Sequence, residues 1–363
     1  MRVLIIRFSS IGDIVLTTPL VAAITERHPE AVIDYLTLAD YRVLLEHNPH
    51  INQLIAIPRR ASLAENVAGA RAISRNGYDL VVDLHRSTRS AVYRRFVRAR
   101  EKRTLDKRYV KRALLVSAKM NLYREPLSIV HRYFHVARAL GVTPTGAPAE
   151  IWDRYESLIA SARVLEALLG FRFAIAAMDR AAVTPIRREI VATGAPGPVI
   201  SLMPFATWRT KEWGDDRFVE LGRRLVSERG AIVLVHGGPG DTARAEPIVR
   251  AIGPGAVMLA GATTLMQSAL ALAASDCLVT NDTGLMHIGG AVRIPVIAIF
   301  GSTVEELGFF PYETAGTVMQ VDLSCRPCTT KGLRACPKRH FRCMNDINVD
   351  SVVDAIGRFP ARR

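Results

Sequence analysis

The 363-residue sequence has no uncharged apolar run of the length, about 20 residues, that a bilayer span requires. Its longest apolar region, Leu158 to Met178, is interrupted by Arg163, Glu166 and Arg172 and reads as a core helix followed by a strand. The opening MRVLIIRF has neither the long apolar segment nor the small-residue cleavage site of a secretory signal, so a cytoplasmic protein is expected. There is no low-complexity block and no short-period repeat. The glycine fingerprint G-x-G-x-x-G is missing after every candidate first strand, which weakens a nicotinamide-dependent oxidoreductase reading. Acidic residues are in deficit, 34 against 48 Lys and Arg, leaving a net charge of +14. A basic surplus of this size points to an anionic partner: a phosphorylated glycolipid, a membrane surface or nucleic acid.

What is present is alternation. A chain of this length suits two domains of roughly 150 to 180 residues. Short apolar runs at Arg2 to Phe8, Val32 to Leu38, Leu54 to Ile57 and Asp79 to Leu84 are separated by helical stretches, one of them Ile14 to Arg27. A second series begins at Pro198, with strands Val199 to Met203 and Ala231 to His236 around a helix Asp216 to Arg229, and later strands Asp276 to Thr280 and Pro295 to Phe300. Strand–helix alternation in both halves predicts two α/β, doubly wound parallel-sheet domains. The proline-punctuated stretch from Thr143 to Pro198 holds the boundary. The expected division is 1–175, a linker at 176–197, a second domain at 198–345 and a closing helix within 346–363.

In such sheets ligands bind beyond the carboxyl ends of the strands. Ser275 to Thr303 contributes two such ends, with Asn281-Asp282-Thr283-Gly284 at a strand-to-helix turn whose amides and Thr283 hydroxyl make an anion site. Asp282 repels phosphate there unless Lys211 or a divalent ion such as Mg2+ stands between. His287, one turn on, is either a packed core histidine or a ligand contact. The loop from Phe205 to Lys211 brings Thr207, Arg209, Thr210 and Lys211 together, the hydroxyls and cations a diphosphate needs. Asp241, after a Gly-rich turn, is a ribose-hydroxyl acceptor or a helix cap. In the first half, Asp13 is a first-turn helix residue favoured by the dipole or a carboxylate aimed into the cleft. Arg59, Arg60, His85 and Arg86 directly follow strands, so they too belong to the ligand edge, whereas Asp83 reads as a hydrogen-bonding strand end.

The segment Arg86 to Lys119 holds thirteen Lys or Arg against two acids, read as a basic loop or helix from Arg89 to Arg112 that an anionic partner would cover. His131 and His135 lie one helical turn apart on a helix from Ser128 to Leu140, without a thiol or acid nearby in sequence, and are taken as structural or acceptor-facing rather than metal-binding. Cys325, Cys328, Cys336 and Cys343 fall within nineteen residues. In a cytosolic protein that clustering points to bound zinc or iron before disulfides, although only one pair has C-x-x-C spacing. A nucleic-acid-binding protein with a metal-bound cysteine cluster is the alternative these features leave open.

The start MRVLIIRFSSIGDIVLTTP, DLVVDLHRSTRS, Lys211-Glu212-Trp213 and NDTGLMHIGGA…PVIAIFGST together resemble glycosyltransferase family 9, the lipopolysaccharide heptosyltransferases, and CRPC…C…RCM resembles the ending of some heptosyltransferase II-like members. The resemblance implies a GT-B arrangement of two Rossmann-like domains facing a cleft. It also implies inverting transfer of heptose from ADP-heptose to the phosphorylated lipopolysaccharide core, at the inner face of the inner membrane and without nucleic acid. Another nucleotide sugar is the alternative donor. By position, Asp13 matches the general base, Lys211 the diphosphate-binding lysine, Asp282, Thr283 and Gly284 the nucleotide-sugar motif, and Asp241 the ribose acid. Thr207 departs from the paired hydroxyls of relatives. Ser10, Gly12, Arg59, Arg60, His85, Arg86 and Arg89 fall where the acceptor approaches.

Overall fold

A computed structural model describes residues 1–170, 172–174, 183–186 and 191–361. In the first half, β1 (Arg2–Ile6), β2 (Val32–Leu38), β3 (Gln53–Ile57), β4 (Tyr78–Asp83) and β5 (Ala99–Thr104) form a parallel sheet in the order β3-β2-β1-β4-β5. β1 is central and has helices on both faces, which is why Val3, Leu4, Ile5 and Ile6 are all fully buried and its sequence does not alternate. Crossovers run through α1 (Ile11–Val15) and α2 (Thr18–Arg27), α3 (Leu63–Ser74) and α4 (Thr88–Phe96).

Two local expectations change. The single helix expected over Ile14 to Arg27 is two. Pro19 lacks an N–H and sits in the first turn of α2, while the hydroxyls of Thr17 and Thr18 donate back to Ile14 O (2.7 Å) and Val15 O (2.8 Å). The basic run Arg89 to Arg112 is neither loop nor one helix: α4 ends, β5 forms, and α5 (Tyr109–Ser117) begins. β5 reads AREKRT and is the sheet's edge, where charge is tolerated and blocks further pairing. α6 (Ile129–Val136) starts at Ser128, whose hydroxyl accepts from Val130 N at 3.0 Å, and the chain turns at Gly141, as expected.

β6 (Trp152–Arg154), α7 (Tyr155–Leu169), β7 (Arg172–Ala174), β8 (Val183–Pro185) and β9 (Val191–Thr193) follow, with β6 pairing β8 and β7 pairing β9 antiparallel. Much of the linker expected at 176–197 lies outside the described residues. β10 (Val199–Met203), β11 (Ile232–Val235), β12 (Ala256–Met258), β13 (Cys277–Asn281), β14 (Val296–Ile299) and β15 (Gly316–Met319) then form the second parallel sheet, ordered β12-β11-β10-β13-β14-β15. It is covered by α8 (Asp215–Arg229), α9 (Thr242–Ile252), α10 (Leu265–Ala273), α11 (Gly284–Ala291), the single turn α12 (Arg342–Asn345) and α13 (Val349–Gly357), whose Val352, Val353 and Ile356 pack into that core. One apolar cluster joins the halves through Ile14, Leu165, Leu270 and Met286.

Strand order reverses between β1 and β4 in the first sheet and between β10 and β13 in the second. Those switch points open crevices at the carboxyl ends of exactly four strands' loops: the segments after β1, β4, β10 and β13.

Candidate active site

The two crevices are brought together where α1 meets α11. A Cβ added to Gly12 would lie 2.3 Å from His287 Cδ2, and one on Gly284 would lie 2.9 Å from Ile11 Cβ. Only glycine allows the backbone of each helix start to approach the other so closely.

Asp13 stands at this contact with 16 % of its side chain exposed. One carboxylate oxygen pairs with the Arg7 guanidinium, and the other accepts from Ser10 N (3.1 Å) and Ser10 Oγ (2.8 Å). Burial alone would raise its pKa, but the Arg7 charge and the Ser10 donors outweigh burial and hold the carboxyl below its usual range. Arg7 is fixed by Ser9 O (2.8 Å) and Leu84 O and lies 6.0 Å from the Tyr133 ring centre. The His287 ring is 6 % exposed and its Nδ1 has no partner. Burial first, with Lys211 adding to it against Asp282 and Asp13, pushes its pKa down to about 4, so it is neutral at pH 7.

Opposite Asp13, Lys211 Nζ lies 2.6 Å from Asp282 Oδ2, and Thr303 Oγ1 donates to the same oxygen at 2.7 Å. Of the two cations expected beside Asp282, the Lys211 ammonium is the one in place. Asn281 ties the two loops: its Oδ1 accepts from Trp213 N (3.0 Å) and its Nδ2 donates to Pro204 O (2.6 Å). Thr283 is the N-cap residue of α11 but makes no side-chain cap bond, its hydroxyl lying 3.3 Å from Thr280 Oγ1, so that side chain leaves the first amides of α11 unoccupied. Thr207 is exposed on the β10 loop. Asp241 accepts from Gly238 N at 2.8 Å, which is the capping role, at the end of the turn after β11.

The remaining expected acceptor residues are spread along the first sheet's edge. Arg59 is paired with Asp40 (2.6 Å) and Arg60 is exposed. Arg89 donates to Asn66 Oδ1 (2.7 Å), Arg59 O (3.1 Å) and Pro58 O (2.9 Å), and Arg86 to Leu105 O (3.1 Å) and Asp106 (3.2 Å). The His85 ring lies against Phe8 with centres 4.9 Å apart and planes tilted by 54°; burial first, then Arg7 and Lys107, lowers its pKa to about 4. Asp83 is fully buried, accepting from His85 N, Arg86 N and Ser90 Oγ and pairing with Arg94 at 2.6 Å, a strand-end anchor as expected. Ser10 and Gly12 share the Asp13 turn, whereas Arg59, Arg86 and Arg89 have their guanidinium groups engaged within the protein.

The sequence profile of glycosyltransferase family 9 (heptosyltransferase) matches residues 67–338, three quarters of the chain. The chain belongs to glycosyltransferase family 9. Lipopolysaccharide heptosyltransferase 3 of Escherichia coli K12 is 27% identical over 303 residues, 80% of each chain, and lipopolysaccharide heptosyltransferase 2 of Salmonella typhimurium is 26% identical over 310 residues, 83% of each. The solved structure of E. coli ADP-heptose lps heptosyltransferase II superimposes with a TM-score of 0.72 at 21% identity, covering 99% of this chain and 98% of that one. The family 9 chain therefore has the GT-B arrangement of two Rossmann-like domains, and it is a glycosyltransferase. The nucleic-acid-binding alternative is not favoured by any of these likenesses.

Two residues that shape the candidate site, Arg7 and Glu212, were given no role in the sequence reading, although Glu212 belongs to the Lys211-Glu212-Trp213 motif. Arg7 is 8 % exposed and sets the charge state of Asp13; its signal was a cation ending an otherwise apolar strand. Glu212, 3 % exposed, accepts from Arg244 (2.8 and 3.3 Å), Arg209 (3.1 Å) and Ala206 N (3.3 Å), and so shapes the Lys211 loop. The cysteine expectation is not met by the side chains as placed. All five cysteines are free, Cys325 Sγ lies 3.8 Å from His340 Nε2, and among the described residues no group of three or more Cys, His, Asp or Glu is positioned to hold a metal ion. Burial, then the neighbouring Cys328 thiol, pushes the Cys343 thiol up to about 11.

Proposed function

We propose that the protein transfers heptose from ADP-heptose to the inner core of lipopolysaccharide with inversion at the anomeric carbon. The observation that carries this reading is the meeting of α1 and α11, which sets the Asp13 carboxylate against the Lys211–Asp282–Thr283 group. The donor diphosphate takes the Lys211 ammonium and the α11 amides, with Gly284 leaving the helix start open, Asp241 receiving the ribose, and Thr207 and His287 lining the remainder. An acceptor hydroxyl attacks in line: its oxygen bonds to the anomeric carbon, the carbon–phosphate oxygen bond breaks, and ADP leaves with the electron pair. Asp13 takes the hydroxyl proton. A carboxylate held low by Arg7 is a weak base, so proton transfer completes only after the new bond has acidified the hydroxyl. Lys211 stabilises the leaving charge.

The acceptor would be met at the inner face of the inner membrane. Among the described residues no helix is long and apolar enough to cross a membrane. Peripheral contact is proposed through α5 and the turn after it, where Tyr109, Val110, Met120 and Leu122 are exposed beside Arg108, Lys111, Arg112 and Lys119. The cysteine loop carries no step of the transfer. Its spacing still suits zinc or iron in a rearranged loop, and metal analysis reads this directly: below roughly a tenth of an equivalent rejects it.

The donor is tested by thermal unfolding of the purified protein with ADP-, GDP- and UDP-sugars. ADP-heptose should raise the midpoint most; protection by a GDP- or UDP-sugar with none from ADP-heptose would assign another nucleotide.

A further inference from the structure

Arg326 stands between the first two of the clustered cysteines, in the loop that joins β15 to α12, and directs its guanidinium at the donor side of the cleft. Its Nε donates to Gly301 O at 2.5 Å, and its Nη2 to Thr303 O at 2.9 Å, Phe300 O at 3.4 Å and Gln320 Oε1 at 3.0 Å, while Nη1 donates to Val321 O. Gln320 apart, these acceptors are main-chain carbonyls, and three of them belong to the turn after β14. The same turn is pinned from another direction: a Cβ on Gly301 would lie 2.8 Å from Met344 Cε of α12, and Ser302 and Thr303 are buried. The loop is itself held from behind, since Lys119 Nζ of the first domain donates to Cys325 O at 2.9 Å and Pro327 O at 2.6 Å, the carbonyls on either side of Arg326.

A few residues further on, the loop grips the segment that carries Lys211. Leu333 N donates to Thr210 Oγ1 at 2.8 Å, Thr210 N donates to Leu333 O at 3.1 Å, and Thr210 Oγ1 reaches Ser302 Oγ at 3.1 Å. Cys328 N donates to Ser302 O at 3.3 Å. Lys211 and Thr303 therefore sit on two turns that residues 325–333 clasp together. Both address one atom, Asp282 Oδ2, with the Lys211 ammonium at 2.6 Å and the Thr303 hydroxyl at 2.7 Å. A carboxylate oxygen that already accepts from a hydroxyl holds an ammonium less tightly, and that leaves the ammonium free to turn towards a phosphate.

We propose that Arg326 is a positioning residue for the donor diphosphate: by fixing the carbonyls on both sides of Ser302 it aims the Thr303 hydroxyl at Asp282, and so sets how firmly Asp282 holds the Lys211 ammonium. The inference rests on the reading of Lys211 as the diphosphate lysine. Arginine suits the task because its rigid planar fork spans the carbonyls of Gly301, Thr303 and Val321 together, which the single nitrogen of a lysine does not. The cysteine loop then has a part in donor binding that its thiols do not perform.

The test is a binding cycle on full-length protein, with a nucleoside diphosphate that the wild type binds, ADP first and then GDP or UDP, and the matching nucleoside as probes. Arg326→Gln should weaken the diphosphate by about tenfold and the nucleoside, which lacks the phosphates, by less than about twofold. Thr303→Val should show the same selective loss, and Thr303→Ser should recover most of it. The double variant Arg326→Gln/Thr303→Val should bind no more weakly than the weaker single variant, because both changes act through one hydroxyl. Where Arg326→Gln does not fold, Arg326→Lys takes its place with the same expected pattern. Additive losses in the double variant, an equal loss for the nucleoside, or diphosphate affinity unchanged by substitution of Arg326 overturns the proposal and leaves the diphosphate reading standing. Failure of the wild type to bind ADP, GDP or UDP overturns that reading, and this inference with it.

Discussion

Asp13 is ionised because Arg7 and Ser10 keep it so, and that fixes its pH behaviour. Its folded pKa is lowered, so the base form is present above the ordinary carboxylate range of about 3.9 and is lost only as pH falls below it. The acid limb of kcat/KM should therefore lie beneath that range, and Arg7→Gln should move it upward; an acid limb near pH 6 in the wild type would mean another base. Asp13→Asn should bind ADP normally and lose transfer by about three orders of magnitude or more. Stability has a different window. His287 and His236 are both neutral and buried, their pKa values down to about 4 and about 3 through burial, so unfolding binds protons as pH falls below about 6.5 and the fold weakens between there and pH 4. Lys211 pairs with Asp282 in the fold and is the residue proposed to hold the donor diphosphate. Lys211→Met leaves Asp282 buried without its cation and should cost about 3–5 kcal/mol in denaturant unfolding, with Lys211→Met/Asp282→Asn recovering part of that but no donor affinity.

At the scale of elements, the contact of α1 with α11 is the joint on which the site depends. Gly12→Ala drives a methyl group into His287 and should abolish transfer while ADP protection against unfolding survives, because the donor loops lie wholly in the second domain. Loss of both together would place the donor across the joint instead. The same elements show what sequence can and cannot reveal. β1, β10, β13 and β14 were legible because strands covered on both faces must be continuously apolar. β5 was not, since an edge strand written AREKRT carries no such pattern. The break before α2 was missed because apolar spacing continued through Thr17, Thr18 and Pro19 although the backbone could not. Buried ions are the other blind spot: Arg7, Arg132 and Glu212 look in sequence like the many Arg and Glu on the surface, and only three-dimensional packing separates them.

For the whole molecule, the candidate site is an effect of topology. Strand order reverses once in each sheet, and the loops after β1, β4, β10 and β13 face a shared cleft because the two domains pack through α1 and α11. No single half holds both Asp13, the proposed base, and Lys211, the proposed diphosphate lysine. The turn at Asn281 to Gly284 was legible as a ligand site from its residues alone, but that it opposes Asp13 was implied only by the family resemblance. Net charge belongs to this scale too: at +14, with exposed apolar side chains on α5, the protein should sediment with phosphatidylglycerol vesicles at low salt, weaken steeply as ionic strength rises, and ignore phosphatidylcholine vesicles. Equal binding to both lipids would place the membrane contact elsewhere.

The account turns on heptose transfer across this cleft, which is measured by incubating purified protein with ADP-heptose and a series of truncated lipopolysaccharide cores and weighing the acceptor by mass spectrometry. The expected result is one added heptose on at least one core, with matching ADP release, and none with Asp13→Asn. ADP-heptose left intact beside every core, or transfer by Asp13→Asn at the wild-type rate, would contradict it.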